Sequence, residues 1–315
     1  MKRILVTGGA GFIGSHLCNR LHDEGHFIIC LDNLYSGNKS NVSHLMTSEK
    51  FKFINQSVVE PMDLDVDEIY HLACPASPVH YQKDPLFTLD TNYFGAKNVL
   101  QLAKKNSAKV LLTSTSEVYG DPLVHPQPEE YFGNVNPIGI RSCYDEGKRV
   151  SETMFFDHHR VHGTKIKVAR IFNTYGPKMN LDDGRVVSNF IIQALKKDPL
   201  TVYGDGLQTR SLCYVSDMIE GLIKLMNSEL VVTGPINLGN PFELTILEIA
   251  NMIKAKIEST SNIVFLDSPE DDPKRRKPNI DKASKDLGWS PMIDLEEGLN
   301  STIDYFKSSI AEQVK

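Results

Sequence analysis

Short apolar runs alternate with longer stretches of helical periodicity through the first half of the chain. The predicted strands are residues 4–6, 27–31, 51–54, 69–73, 110–114 and 165–171. Between them, residues 15–21 and 86–105 place apolar side chains at the spacing of a helix face. Strands that alternate with helices predict an α/β protein with a doubly wound parallel sheet. In such a sheet, ligands bind at the carboxyl ends of the strands, where the strand order reverses.

The pattern changes after residue 176. Predicted helices at residues 186–196, 216–227, 246–257 and 295–306 are separated by turns that contain proline or glycine. We therefore expect residues 1–175 to form the sheet domain and residues 176–315 to form a smaller, mainly helical domain that binds the substrate. A segment near residues 230–240 is expected to rejoin the main sheet.

A glycine-rich turn, TGGAGFIG, separates the first predicted strand from the first helical stretch. Gly8 permits the tight turn, Gly11 lets backbone N–H groups approach a pyrophosphate, and Gly14 lets the helix pack closely on the strand. The positive end of that helix favours the pyrophosphate charge. A strand, a glycine turn and a helix in this order indicate a Rossmann-like fold that binds a dinucleotide.

Asp32 follows the second predicted strand, close to the position at which an acidic side chain binds the adenosine ribose. A carboxylate at this position would repel a 2′-phosphate, so the sequence favours NAD over NADP. The alternative role for Asp32 is structural, as a cap of the turn at residues 33–37.

Tyr144 and Lys148 are four residues apart in a predicted helix, so their side chains share one face. A free tyrosine has a pKa of about 10, and a neighbouring cation lowers it. Such a phenol can take a proton from an alcohol and return it later. An exposed tyrosine–lysine pair without chemical function has the same spacing, so the pair alone does not decide between the two.

The composition excludes several classes of protein. Hydrophobic residues are 41% and charged residues 23% of the chain, and the net charge of −6 does not favour nucleic acid or an anionic membrane surface. No apolar run is long enough to cross a bilayer, and the first strand begins near Met1, so we expect no signal peptide or amino-terminal anchor. The five cysteines are scattered and the histidines lack a metal-binding pattern. We expect no metal site and a reducing, cytoplasmic location.

Several segments resemble the extended short-chain dehydrogenase/reductase superfamily, namely the glycine turn, His71-Leu-Ala, the segment 114–120 and Tyr144-x-x-x-Lys148. Longer segments look like those of the UDP-glucuronate decarboxylases, also called UDP-xylose synthases. These segments are HLACPASPVHY (71–81), STSEVYGDP (114–122), RSCYDEGKR (141–149), ARIFNTYGP (169–177) and DDPKRRKP (271–278). The resemblance covers nearly the full length.

The resemblance implies NAD-dependent decarboxylation of UDP-glucuronate to UDP-xylose and carbon dioxide through a UDP-4-keto sugar, with internal recycling of NAD. Tyr144 is then the general acid and base, Lys148 lowers its pKa, and Thr115 bonds the C4 oxygen. Glu117, two residues beyond Thr115, either holds a water for protonation at C5 or repels the substrate carboxylate. Arg276 binds the diphosphate or orients the sugar near C5. The alternatives without a catalytic role are that Thr115 is only the last residue of a strand and that Glu117 only makes a local loop contact.

We expect the cofactor to contact Gly8, Gly11, Phe12, Ile13, Gly14, Asp32, Asn33, Ser36, Gly37, Leu72, Ala73, Tyr144 and Lys148. We expect the substrate to contact Pro75, Glu117, Tyr144, Asn173, Arg185, Tyr203, Gln208, Arg210 and Arg276. Guanidinium groups suit a diphosphate. The basic residues 274–277 are therefore better explained by the diphosphate than by nucleic acid. For Gln208, a plain loop residue is an equally good interpretation.

Two other functions remain open at this point. A UDP-hexose or UDP-uronate 4-epimerase shares the ketone intermediate, although Glu117 and Arg276 in their segments favour decarboxylation. A non-catalytic NAD-binding sensor is a different class, but a sensor need not keep Thr115, Tyr144 and Lys148 together.

The resemblance also implies a homodimer, in which residues 92–105 and the helix that carries Tyr144 form a four-helix bundle with their copies. Apolar side chains available for it are Phe94, Val99, Leu102, Met154 and Phe155. Burial inside one subunit explains some of them equally well.

Overall fold

The structure, a computed structural model, describes residues 1–268 and 275–313. Its strands, in chain order, are β1 (Arg3–Thr7), β2 (Phe27–Leu31), β3 (Phe51–Ile54), β4 (Glu68–His71), β5 (Lys109–Thr115), β6 (Ile166–Ile171), β7 (Thr174–Tyr175), β8 (Leu200–Tyr203), β9 (Thr209–Ser211), β10 (Cys213–Tyr214), β11 (Ile236–Leu238), β12 (Glu243–Thr245) and β13 (Ile263–Leu266). Its helices are α1 (Phe12–Asp23), α2 (Pro78–Tyr81), α3 (Pro85–Asn106), α4 (Ser142–His162), α5 (Val186–Lys196), α6 (Val215–Asn227), α7 (Ile246–Ile257), α8 (Asp281–Leu287) and α9 (Leu295–Gln313). Short 3-10 helices span Lys39–Leu45 and Ser116–Tyr119.

Within the described residues, seven strands form one parallel sheet in the order β11-β6-β5-β4-β1-β2-β3. The predicted α/β fold with a doubly wound sheet is confirmed. Ile4, Leu5 and Val6 are fully buried, because strand side chains alternate between two faces and helices cover both. Helices α3 and α4 cover the face of Leu5, and α1 and α6 cover the face of Ile4 and Val6.

The strand order reverses between β1 and β4, so a crevice opens at the carboxyl ends of these strands. The glycine turn after β1 lies there. Gly8 has a φ of +69°, in the left-handed region that glycine adopts without strain. A Cβ atom on Gly14 would lie 2.1 Å from the carbonyl oxygen of Gly8, so only glycine lets α1 approach the turn this closely.

The second half of the chain contributes to two regions. Helices α5, α7 and α9 enclose a separate apolar core that contains Phe190, Ile249 and Phe306. Strand β11 instead pairs with β6 at the edge of the main sheet, and α6 and α8 pack beside it. Residues beyond 176 therefore lie partly in the sheet region and partly in the helical region.

Some apolar side chains expected on an intersubunit surface lie inside the subunit. Val99, Leu102 and Phe155 have exposed fractions of 0%, 2% and 0%, because α3 and α4 pack against each other over the sheet. The expectation that these residues offer surface is wrong. Met154 is partly buried against the same core, whereas Phe94 is exposed.

Candidate active site

Tyr144 and Lys148 lie in the first turns of α4, and both side chains are buried. The Nζ atom of Lys148 lies 5.9 Å from the centre of the Tyr144 ring and donates a hydrogen bond to the carbonyl oxygen of Thr113 at 3.0 Å. The pair therefore shares a helix face, as its spacing predicted, and it is not exposed.

Burial dominates the titration of both groups. It raises the pKa of Tyr144 well above its ordinary value, and a hydrogen bond with Thr115 does not offset this effect. Burial likewise lowers the pKa of Lys148. The expectation that Lys148 brings the pKa of Tyr144 down is not met in the protein alone, because burial penalises the charged form of each partner. Ionisation of Tyr144 requires a further favourable charge or hydrogen bond at the site.

Tyr81 is a site residue that the sequence did not single out. Its ring stacks on that of Tyr144, with centroids 5.0 Å apart and an interplanar angle of 8°. The backbone carbonyl of Tyr81 accepts hydrogen bonds from the side chains of Thr88 and Cys143. These bonds join the end of α2 to α3 and α4, and so fix the ring. Tyr81 stands in one of the segments that carried the resemblance, but its spacing gives no sign of the stacking.

Glu117 follows the end of β5 and is buried in the 3-10 helix that begins at Ser116. The Oγ1 atom of Thr115 accepts a hydrogen bond from the backbone N–H of Glu117 at 3.2 Å and caps this turn. The strand has ended, so the expected alternation that would place Thr115 and Glu117 on one side does not apply. The 3-10 turn determines where Glu117 points.

The carboxylate of Glu117 is held by two guanidinium groups. Its Oε2 atom accepts a hydrogen bond from Nη2 of Arg276 at 2.9 Å and another from Nη2 of Arg141. Burial opposes the ionisation of Glu117, but attraction to Arg276, Arg141 and Arg210 outweighs it and holds the pKa below its usual value. Arg141, which lies one turn before Tyr144, is a second residue that the sequence interpretation missed.

The other predicted substrate residues fall into two groups. Asn173 accepts a hydrogen bond from Arg276, and Arg210 is buried near Glu117, so these residues converge on the glutamate. Tyr203 is exposed on β8, and its backbone carbonyl accepts a hydrogen bond from the side chain of Gln208 at 2.7 Å. Gln208 therefore closes a surface turn.

A cleft at the carboxyl ends of β1 and β4 is lined by all of the cofactor residues expected from the sequence, from Gly8 to Lys148. Pro75 and Arg185 also line it. Its volume is about 150 Å³, and it is partly open to solvent. The guanidinium of Arg185 is paired with Asp183 and lies 5.7 Å from the centre of the Phe12 ring. The position of Lys274, part of the predicted basic cluster, lies outside the described residues.

The cleft fits a dinucleotide. Helix α1 has no acidic side chain in its first turn, and Gly11 precedes it, so its N–H groups face the cleft without a side chain between them. Asp32 accepts hydrogen bonds from the backbone N–H groups of Ala10 and Leu34. It thus caps the turn after β2, which was its alternative role, while its carboxylate still lines the cleft. Among the described residues, no group of three potential metal ligands is found.

A dinucleotide cleft that ends at a buried tyrosine–lysine pair is the arrangement of NAD-dependent short-chain dehydrogenase/reductase enzymes. Residues 4–239 match the family described as "NAD dependent epimerase/dehydratase family". The chain is 58% identical to UDP-glucuronic acid decarboxylase 6 of Arabidopsis thaliana over 94% of this chain and 86% of that protein. It is 56% identical to UDP-glucuronic acid decarboxylase 1 of Danio rerio over 99% of this chain and 74% of that protein. The chain belongs to the UDP-glucuronic acid decarboxylases of this NAD-dependent family.

A solved structure gives the same fold. UDP-glucuronic acid 4-epimerase from Bacillus cereus, in complex with UDP-glucuronic acid and NAD, aligns with a TM-score of 0.88. It is 30% identical, and the alignment covers 98% of this chain and 99% of that chain. Epimerases and decarboxylases therefore share this scaffold, and the difference between them lies in individual site residues.

Proposed function

We propose that this enzyme converts UDP-glucuronate to UDP-xylose and carbon dioxide through a UDP-4-keto sugar, with NAD regenerated in each turnover. The observation that carries the proposal is the ionised carboxylate of Glu117, held between Arg141 and Arg276 close to Tyr144. A base for alcohol oxidation and a buried carboxylate near it are the groups that oxidation and loss of a carboxyl group need.

Oxidation at C4 uses the Tyr144 end of the cleft. NAD, when bound, supplies the acceptor and later the donor of the C4 hydride, and its positive nicotinamide ring favours the Tyr144 phenolate. Tyr144 takes the proton of the C4 hydroxyl and returns it in the final reduction. Thr115, which hydrogen-bonds Tyr144, aligns the same oxygen. The Nζ atom of Lys148 lies 5.9 Å from the centre of the tyrosine ring, where the charged form of Lys148 favours the phenolate.

Decarboxylation and protonation use Glu117. The 4-keto uronate is a β-keto acid, so its ketone accepts the electron pair when the bond to the carboxylate breaks. Carbon dioxide leaves, and one proton is taken up at C5. Because Glu117 is held ionised, it orients the water that delivers this proton and is not itself the acid. Its charge is balanced by Arg141 and Arg276, so repulsion of the substrate carboxylate by Glu117 is the weaker of the two expected roles.

The three arginines have different roles in this proposal. Arg276 bonds Glu117 and Asn173, which supports a role at the sugar. Arg210, buried nearby, binds the diphosphate, and Asn173 bonds a diphosphate or sugar oxygen. Arg185, held by Asp183 at the cleft, binds the other side of the diphosphate. Tyr203 contacts the uracil at the surface, and Gln208 supports its turn.

Epimerisation at C4 is the second candidate, because the Bacillus cereus 4-epimerase shares this fold. The purified protein is incubated with UDP-glucuronate while carbon dioxide and the nucleotide sugars are followed by NMR. We expect UDP-xylose and one equivalent of carbon dioxide. UDP-galacturonate without carbon dioxide would replace the proposal with an epimerase. Bound NAD without turnover would favour a sensor.

We also propose that the enzyme is a cytoplasmic homodimer. Leu86, Leu89, Tyr93 and Phe94 form an exposed apolar stripe on α3, the helix that packs beside α4. The cysteines Cys18, Cys30, Cys74, Cys143 and Cys213 are free, which suits a reducing compartment. Within the described residues, no helix is long and apolar enough to cross a membrane. Light scattering on the wild type and on Tyr93→Lys tests the dimer, which we expect to weaken in the variant while Lys97→Glu, at an exposed charged position on the same helix, retains it.

A further inference from the structure

A second cavity is lined by Arg141 but not by Glu117. It measures about 220 Å³ and is lined by Gly120, Asp121, Asn134, Val135, Asn136, Arg141 and Asp145. Among the described residues, it shares no lining residue with the cofactor cleft. A polar cavity of this size holds several water molecules.

Arg141 stands between two carboxyl groups. Its Nη2 atom donates to Oε2 of Glu117, and its Nε atom lies 3.9 Å from Oδ2 of Asp145. Asp145 follows Arg141 by one helical turn, so the backbone of α4 fixes this arrangement. One guanidinium therefore faces Glu117 on the sugar side and Asp145 on the side of the second cavity.

Asp145 is a buried acid with an open hydrogen-bonding position. Its exposed fraction is 7%, and its Oδ1 atom has no hydrogen-bond partner among the described residues. A buried carboxylate with an unpaired oxygen is costly, whereas a protonated carboxyl that bonds water is not. The cavity supplies room for that water.

We propose that Asp145 is a positioning residue for decarboxylation. In its protonated form, Asp145 does not compete with Glu117 for the positive charge of Arg141, and it exchanges its proton with water in the second cavity. The inference rests on the proposed function, and it assigns to Asp145 no contact with substrate or cofactor. When Asp145 is neutral, the two arginines give the surroundings of Glu117 a net positive charge, which favours the uronate carboxylate there. When Asp145 ionises, it competes with Glu117 for Arg141.

The electrostatics of the site agree with this geometry. Burial and the negative charge of Glu117 raise the pKa of Asp145 to about 8, against the lowering effect of Arg141 and Arg276. Glu146, the next residue on α4, raises it further. Glu117 and Asp145 thus share an arginine, but their pKa values shift in opposite directions, which is how neighbouring carboxyl groups take different roles.

The test separates oxidation from carbon dioxide release. Single turnovers of the NAD-loaded enzyme with UDP-glucuronate are followed by NADH absorbance and by trapped carbon dioxide, from about pH 6 to about pH 10. We expect release of carbon dioxide by the wild type to fall above about pH 8, approaching tenfold per pH unit, relative to oxidation. In Asp145→Asn, which is fixed in the neutral form, this alkaline fall disappears while the rate at neutral pH stays within about threefold.

A matched control is Asp286→Asn, the same change at an exposed position on α8, which leaves the wild-type profile unchanged. Glu146→Gln provides a second test in which Asp145 is retained. Because Glu146 raises the pKa of Asp145, its removal moves the alkaline fall to lower pH. If Asp145→Asn does not fold, Glu146→Gln still tests the role of Asp145.

Three results would overturn the inference: no alkaline fall in the wild type, the same fall in Asp145→Asn, or a uniform loss of rate at every pH in that variant. An unmoved fall in Glu146→Gln counts against it equally. Absence of carbon dioxide from the wild type at any pH would contradict the proposed function instead, so the two failures are distinguishable.

Discussion

The ring of Tyr81 lies parallel to the ring of Tyr144, 5.0 Å away, so the proposed base is held on one side by a second tyrosine. Tyr81 is fixed in turn by side chains of α3 and α4 that bond its backbone carbonyl. The hydroxyl of Tyr81 has no partner among the described residues. The stacking and the hydroxyl can be tested separately.

Replacing Tyr81 by alanine removes the stacked ring, and we expect the rate of NADH formation to fall about tenfold or more. A stacked aromatic pair contributes about 0.5–1.5 kcal/mol, and misplacement of the base adds to that. Tyr81→Phe keeps the ring and is the matched control, with an expected rate within about threefold of wild type. An unchanged rate in Tyr81→Ala would mean that the ring does not position Tyr144.

Replacing Tyr144 by phenylalanine removes the base but retains the ring packed on Tyr81. We expect oxidation to fall by a factor on the order of 10²–10⁴, with NAD binding largely intact. Stopped-flow absorbance measures oxidation, and the NAD content of the purified protein measures binding. Tyr93→Phe, at an exposed position on α3, is the control. A near-normal rate in Tyr144→Phe would contradict the general-base role.

In Glu117→Gln, we expect carbon dioxide release and protonation at C5 to slow more than oxidation, so that NADH and the 4-keto sugar accumulate. The amide keeps the shape of the side chain but loses the charge that Arg141 and Arg276 balance. Solvent deuterium at C5 of UDP-xylose, measured by NMR, reports the protonation step. A defect confined to oxidation would contradict the role of Glu117.

Asp145 also predicts a pH dependence of stability. Its folded pKa of about 8 is raised above the unfolded value of about 3.8, so the folded state binds more protons between these values. The wild type therefore loses stability as the pH rises through this window, on the order of a few kcal/mol at neutral pH. Asp145→Asn removes the effect and should be more stable than the wild type at pH 7. Chemical unfolding at several pH values measures this, and equal pH slopes for the two proteins would refute it.

The glycine turn offers a matched pair of substitutions. In Gly14→Ala, the new Cβ atom would lie 2.1 Å from a backbone oxygen, which must move, so we expect a loss of about 1–3 kcal/mol or more. In Gly11→Ala, the nearest atom is 3.2 Å away, and the methyl group adjoins the cleft. That variant should fold nearly normally but bind NAD weakly. Thermal unfolding and NAD titration separate the two effects, and equal unfolding temperatures would contradict the steric argument.

Much of the fold could be predicted because each buried strand combines an apolar run with turn residues on both sides. Helices at residues 186–196 and 246–257 were predicted with the bounds that the structure gives. The cofactor cleft was predictable for a related reason, because its residues stand in short continuous segments at strand ends, where the parallel topology brings them together.

The rest depends on distances between segments that are remote in sequence. The spacing of Tyr144 and Lys148 gives their shared face but not their burial, and burial determines the sign of both pKa shifts. The sequence does not indicate which groups Arg141 contacts, because an arginine is compatible with many environments. Only the fold places it between Glu117 and Asp145. Helix periodicity likewise does not distinguish an apolar face in the core from one at the surface.

The pairing of β11 with β6 affects how the chain can fold during synthesis. The hydrogen-bonding edge of β6 is covered only when residues 236–238 have been made, long after β6 itself. A fragment that stops at residue 175 would contain the cofactor residues but leave this edge open to other chains. We therefore expect such a fragment to aggregate, and the NAD-binding half to become stable only after the polypeptide beyond β11 has left the ribosome.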